Sequence, residues 1–198
     1  MFLRNEKYLL NILIIAFYLF TFKAHSASED KTEALNYLSS LSDFSASFLQ
    51  SDGENLSEGR VYIGKKRVRA EYFLPTKILI ILDEDKAMYY DYTLEEDEFF
   101  NPKNTNAWFF YDIFRNPLFF EDGKIEVKNN ELLLEKKGVD NEEKKFVIRV
   151  LFEKQPLILR GIEVVINGDV LKLSIYNHSY NEVFDKNFFK LISPKYLN

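Results

Sequence analysis

The sequence predicts a mainly β (α+β) protein, an open, strongly curved antiparallel half-barrel covered by helices. Three observations carry this reading. Apolar and polar residues alternate in about ten short runs, the period of half-buried strands. Helical runs do not follow each strand, which argues against a doubly wound α/β plan. One amphipathic helix and one aromatic helical segment are available to cover the apolar face. The chain has 198 residues, 46% of them hydrophobic, which is enough for one domain with a real core.

The first 26 residues are set apart from the domain, which spans 27–198. Arg4 and Lys7 precede an apolar run from Tyr8 to Phe22, and small residues follow at Ala24, Ser26 and Ala27. This is the pattern of a cleaved signal peptide. The run is shorter than the roughly 20 apolar residues of a spanning helix, so a retained anchor is the weaker alternative. The expected location is the periplasm. Net charge is −5, and cysteine is absent from the chain. No disulfide forms, and no thiolate nucleophile or metal ligand is available.

Glu29 to Gln50 reads as one helix. Leu35, Leu38, Leu41, Phe44 and Phe48 recur at spacings of three and four, and Asp30 followed by Glu33 resembles a capping box. From Gly59 the period becomes two. Val61 and Ile63 belong to one strand, and Val68, Ala70 and Tyr72 to the next, with Lys65-Lys66 at the hairpin. Ile78 to Leu82 is a short apolar strand. Asp83 to Asp85 is a turn, and Ala87 to Tyr92 is a strand with Met88 and Tyr90 on one face. Glu95 to Phe100 is an edge strand. Ala107 to Asn116, with Trp108, Phe110, Tyr111 and Phe114, fits a single helical turn, with a loop or a strand as the alternatives. Further strands fall at Ile125–Val127, Leu132–Leu134, Phe146–Phe152, Leu157–Ile166 and Val170–Tyr176. Asn167-Gly168 is a hairpin signal between the last two. Phe188 to Leu191 leads into Ser193-Pro194.

Several chemistries find no support. His25 and His178 are the two histidines, too few for a multi-histidine metal centre. His178 has no nucleophile elbow beside it and reads as a strand-end residue. The acidic stretch Asp83 to Glu98 lacks the spacing of a calcium loop. No catalytic residue, metal or cofactor is therefore assigned. The acidic balance argues against nucleic acid as a partner. Lys65, Lys66, Arg67 and Arg69 form a short basic patch, either a solvated hairpin or a docking patch for an anionic partner surface. Aromatic residues make up 16% of the chain. They either fill the space between sheet and helices or line an apolar groove there.

Leu41-Ser42-Asp43-Phe44-Ser45-Ala46-Ser47-Phe48-Leu49-Gln50 resembles the end of the amino-terminal helix in the periplasmic outer-membrane lipoprotein carriers, the LolA family. Gly59 before a strand, Arg69-Ala70-Glu71-Tyr72 with Pro75, Met88-Tyr89-Tyr90-Asp91 and the closing Phe189 to Pro194 continue the resemblance. The family's strand tryptophan is replaced by Ala70 and its turn glycine by Glu84. The family's Arg-Pro after the first strand, whose arginine latches the lid, is missing, and Lys65, Lys66 or Arg67 is the substitute for that arginine. The resemblance implies an eleven-stranded half-barrel with a helical lid, whose hollow takes the acyl chains of a lipoprotein. It also implies a monomer that receives lipoprotein cargo from an inner-membrane ABC-type release complex and delivers it to an outer-membrane receptor. On this reading Phe44 and Phe48 belong to the movable lid. Val61, Ile63, Tyr72, Ile80, Met88 and Tyr90 line the hollow, and Trp108, Phe110 and Phe114 form a second lid. The expected function is that of a periplasmic lipoprotein-transport chaperone. The alternatives are a non-catalytic lipid-binding, glycolipid-binding or structural envelope protein with a closed core, and then a lipid hydrolase.

Overall fold

The computed structural model describes residues 27–116, 118–140 and 143–196. The expected signal peptide lies outside the described residues. A helix, α1 (Ala27–Ser40), leads into six strands: β1 (Phe44–Ser51), β2 (Leu56–Ile63), β3 (Val68–Leu74), β4 (Ile78–Leu82), β5 (Ala87–Asp91) and β6 (Glu96–Phe100). A 3-10 turn at Pro102–Asn104 and a second helix, α2 (Trp108–Arg115), follow. Five more strands complete the sheet: β7 (Lys124–Lys128), β8 (Glu131–Val139), β9 (Lys145–Lys154), β10 (Leu157–Ile166) and β11 (Asp169–Ser179). All are antiparallel, in the order β6-β5-β4-β3-β2-β1-β11-β10-β9-β8-β7.

The predicted strongly curved half-barrel is corrected here. The sheet is a single open one, not closed and not strongly curled, with β6 and β7 as its free edges. Register shifts interrupt three of its ten strand pairs and bend it only locally, and β6 is not paired with β7. Both faces of the β2–β5 half are also loaded with side chains, so packing on one face does not wrap the sheet around it.

The long predicted helix is corrected as well. It ends at Ser40, and Phe44 to Ser51 is a strand in the middle of the sheet. Asp43 turns the chain with a left-handed φ of 55°. Phe44 and Phe48 are four apart, a spacing that also satisfies a period of two. Phe44, Ala46 and Phe48 point inward, and their inward places are filled in turn by Ile63, Val61 and Gly59 on β2. The serines between them, poor helix formers, suit a half-buried strand better. Asp30 lies inside α1 and pairs with Lys154 Nζ at 2.5 Å, tying the helix to the end of β9.

The core sits between the inner face of the sheet and the two helices. Ala34 and Leu38 of α1 and Phe109 and Ile113 of α2 are buried against Phe48, Leu134, Ile148 and Phe152. Tyr37 meets Phe152 edge-on, with ring centroids 5.8 Å apart. Each such side chain contributes about 1.5–3 kcal/mol through burial. The chain after β11 crosses the outer face of β1–β6. Glu182 accepts from Ser45 Oγ at 2.6 Å, Phe184 and Phe188 pack on Tyr62, and Leu191 packs on a cluster of Leu79, Ile81, Met88 and Tyr90.

Candidate functional site

Between the inner face of the sheet and α2 the protein leaves an apolar cavity of about 250 Å³. Its floor comes from β1–β4 (Phe48, Val61, Val68, Ala70, Tyr72, Ile80) and its roof from Ala107, Phe110 and Phe114. Leu171, Leu173 and Ile162 close the far side. The floor follows from strand parity. Val61 faces Ala70, and Ala70 faces Ile80, so three consecutive strands present one row to the helix. Ala70 is the small member of that row, and the space above it is part of the cavity. Gly59 opposite Phe48 admits the ring; a Cβ there would lie 2.5 Å from Phe48 Cζ.

Polar groups at the cavity are few. Tyr72 donates to Gln50 Oε1 at 2.8 Å, and burial pushes the Tyr72 hydroxyl up to about 12, so it stays protonated. Asn106 is the other polar side chain of the lining. The roof is held at its C-terminal end by Arg115, which donates to the carbonyls of Leu41 and, at 3.4 Å, Lys65. Burial lowers the pKa of this guanidinium. One arginine thus fastens α2 to the α1–β1 junction and to the β2–β3 hairpin.

The sequence-predicted residues fall into four groups. Phe48, Val61, Tyr72, Ile80, Phe110 and Phe114 meet at the cavity. Phe44 and Ile63 are buried in the core further along the same face, Phe44 against Tyr180. Met88 and Tyr90 lie on the opposite face beneath Leu191. The register decides this last placement: Ile80 pairs with Tyr89, whereas Met88 pairs with Ile81 and Tyr90 with Leu79. Trp108 stands on the other flank of α2, edge-on to Phe119 and Phe146. Sequence reasoning left Ala70, Gln50, Asn106, Leu171 and Leu173 out of the lining. Leu171 and Leu173 do alternate with Lys172 and Ser174, but nothing local says which part of the sheet they face.

The basic patch divides. Lys65 and Lys66 are exposed at the hairpin tip. Arg67 bonds Asp83 at 2.6 Å and the Phe189 carbonyl at 3.0 Å. Arg69 bonds Glu71 and the Phe188 carbonyl, the latter at 2.6 Å, and lies 4.3 Å from the Phe188 ring centroid. Both guanidiniums therefore hold the C-terminal segment. His178 donates from Nε2 to the Leu159 carbonyl at 2.6 Å, and burial lowers its pKa.

The expected lipoprotein carrier, with its transport and chaperone role, is overturned by this geometry. No enclosed hollow of curved sheet is present to shelter acyl chains. Phe48, Phe109, Phe120 and Phe152 are each at most 2% exposed and occupy the space the hollow would need. The remaining 250 Å³ is below the ~300–1,000 Å³ of ordinary small-molecule sites. The physical reason is the placement of Phe44 and Phe48. On a central strand they are fixed core, not parts of a lid.

No family model and no curated protein matches the chain. Among solved structures it is similar to an uncharacterized conserved protein from Thermus thermophilus. The TM-score is 0.52 and the identity 12%, over 85% of this chain and 96% of that one. It also matches MucB in complex with MucA(peri), at a TM-score of 0.47 and 7% identity over 83% of this chain. A Pseudomonas aeruginosa MucA/MucB complex gives a TM-score of 0.48 at 7% identity, and these two alignments span 59% and 60% of the MucB-complex chains. The similarity to the Thermus protein is one of fold alone.

Proposed function

We propose that this chain is an exported, non-catalytic binding protein whose cavity beneath α2 accepts one compact apolar group. The observation that carries the reading is the cavity itself, apolar on both walls and edged by Gln50 and Asn106, neither an acid nor a base at neutral pH. At about 30 Å³ per water-sized unit, 250 Å³ has room for on the order of eight such units, the scale of a single ring system or branched side chain. Export is supported by the charged, apolar and small-residue pattern of the first 26 residues. Amino-terminal sequencing of the protein recovered from a periplasmic extract tests it. A start near Ala27 is expected, and a start at Met1 overturns it.

The binding reading is tested by calorimetric titration with toluene, a single ring of the size the cavity holds. Saturable 1:1 binding is expected from the native chain. Ala70→Leu, which fills the space above β3, should weaken that binding at least tenfold while holding or raising the thermal midpoint. Absence of saturable binding overturns the reading. So does equal affinity in the filled variant.

A further inference from the structure

On the other flank of α2 lies a second, larger cleft of about 660 Å³, between the helix, the Pro102–Asn104 turn and the ends of β8 and β9. Its walls are aromatic: Trp108, Tyr111, Phe119 and Phe146. Trp108 has Phe109 against one face, with centroids 3.7 Å apart, and meets Phe119 and Phe146 edge-on, both at 5.8 Å between centroids. Its rim is polar and uncharged at Asn104, Thr105 and Asn106. Charges around it come in both signs. Lys103 faces Glu84 at 3.6 Å, Lys136 is paired with Asp122, and Asp140 and Lys144 stand together on the β8–β9 side. Asp112, half-buried, has its carboxyl pKa raised by burial, against a hydrogen bond from Asn116.

These features select a ligand by exclusion. An anionic ligand needs an excess of cations, and the lysines here are matched by carboxylates. A purely apolar ligand would displace water from the amides and the carboxylate of the rim and offer nothing in exchange, at the cost of their hydration. What remains is an uncharged molecule with C–H faces and many hydroxyls. A ring face carries negative charge density and favours the electropositive C–H edge of a pyranose. The amides and Asp112 supply donors and acceptors for hydroxyls. We infer that this cleft is a binding site for a neutral oligosaccharide, with pyranose rings against Trp108 and Tyr111 and hydroxyls on Asn104 and Asp112. The volume is within the ordinary ligand-site range, unlike that of the apolar cavity. The inference does not depend on that cavity being occupied.

The chain carries a single tryptophan, so its emission reports on this cleft directly. The full chain is titrated with maltotriose and with N,N′,N″-triacetylchitotriose, with inositol hexakisphosphate as an anionic comparison. A saturable emission change with at least one trisaccharide is expected, at millimolar affinity or tighter, with none from the anion. Tyr111→Ala and Asn104→Ala should each weaken it at least fivefold with the folded far-ultraviolet spectrum retained. Ala70→Leu, which fills the other cavity, should leave it unchanged. No saturable change with either sugar overturns the inference, as does affinity unmoved by both cleft variants or a response to the anion alone. Toluene binding retained without sugar binding removes this inference and leaves the apolar-cavity reading standing.

Discussion

The two halves of the sheet treat their outer faces in opposite ways. On β8–β11 the outer face carries charges. Arg149 is bonded to Glu135 at 2.8 Å and to Glu163, Lys172 reaches Glu163 at 3.2 Å, and Arg160 reaches Glu153 at 2.5 Å. On β2–β5 it carries Tyr62, Leu79, Ile81, Met88 and Tyr90, and the C-terminal segment lies over them. A solvated ladder of ion pairs is weakly stabilising. A covered apolar face is strongly stabilising, but only while its cover stays in place. The comparison teaches that the C-terminal segment acts as a structural layer, although among the described residues it adds no strand to the sheet.

The largest expected effect comes from removing that layer. A chain ending at Asn181 loses the partly buried Phe184, Phe188, Phe189 and Leu191, worth on the order of 4–8 kcal/mol together. That is comparable with the whole stability of a typical domain, ~5–15 kcal/mol. Urea titration should show a collapsed or absent cooperative transition; an unchanged midpoint would show that the segment is dispensable. Arg69→Leu should come next. It breaks the 2.5 Å pair with Glu71, the bond to the Phe188 carbonyl and the stacking on the Phe188 ring. A loss of about 2–3 kcal/mol in urea is expected, with little rescue by Arg69→Lys, because an ammonium cannot make the forked contact.

Gly64→Ala presses on the same layer from below. Its Cβ would sit 2.8 Å from Phe189 Cε2, so the ring must move. A cost of about 1–2 kcal/mol is expected in the same titration. On the other half, Arg149→Leu should cost under ~1 kcal/mol, shrinking further in high salt. Should Arg149→Leu cost more than Arg69→Leu, the contrast between the halves fails. The smallest effect is the pH response. Partial burial opposes ionisation of Glu135 and Glu163. Hydrogen bonds outweigh it and hold both below the ordinary glutamate value of 4.5: Lys137 and Arg149 bond Glu135, and Arg149 and Lys172 bond Glu163. A carboxyl lowered on folding stabilises above its unfolded pKa. Stability should therefore fall as pH drops from about 4.5 through the lower folded values. In acid urea titrations Arg149→Leu should have a flatter slope than the native chain.

Much of the β-structure is legible in the sequence because its signals are local. Asn167-Gly168 names its hairpin, the continuous apolar run Ile78–Leu82 has the bounds of β4, and Phe146–Phe152 lies inside β9. The first strand is not legible, because the four-residue spacing of Phe44 and Phe48 fits both helix and strand; only Asp43 and the pairing with β2 and β11 decide it. The curvature is not legible either. Alternation says which face is apolar, but not that a segment 100 residues later covers the other face of β2–β5. The cavity is half legible for the same reason. Val61, Tyr72 and Ile80 follow from parity, whereas assigning Met88 and Tyr90 needs the β4–β5 register. Arg67 and Arg69 read as a free basic patch because their partners, the Phe188 and Phe189 carbonyls, are backbone groups far along the chain.

The account rests on a small apolar cavity between the inner face of the sheet and α2. Calorimetric titration with a series of straight-chain alcohols from butanol to hexadecanol measures it most directly. Each added CH₂ should strengthen binding by about 0.8 kcal/mol, roughly fourfold, while room remains. Affinity is predicted to level off near eight carbons, where 250 Å³ is full. Affinity that keeps rising through sixteen carbons would mean a deep hollow that opens for long chains, and would contradict the account.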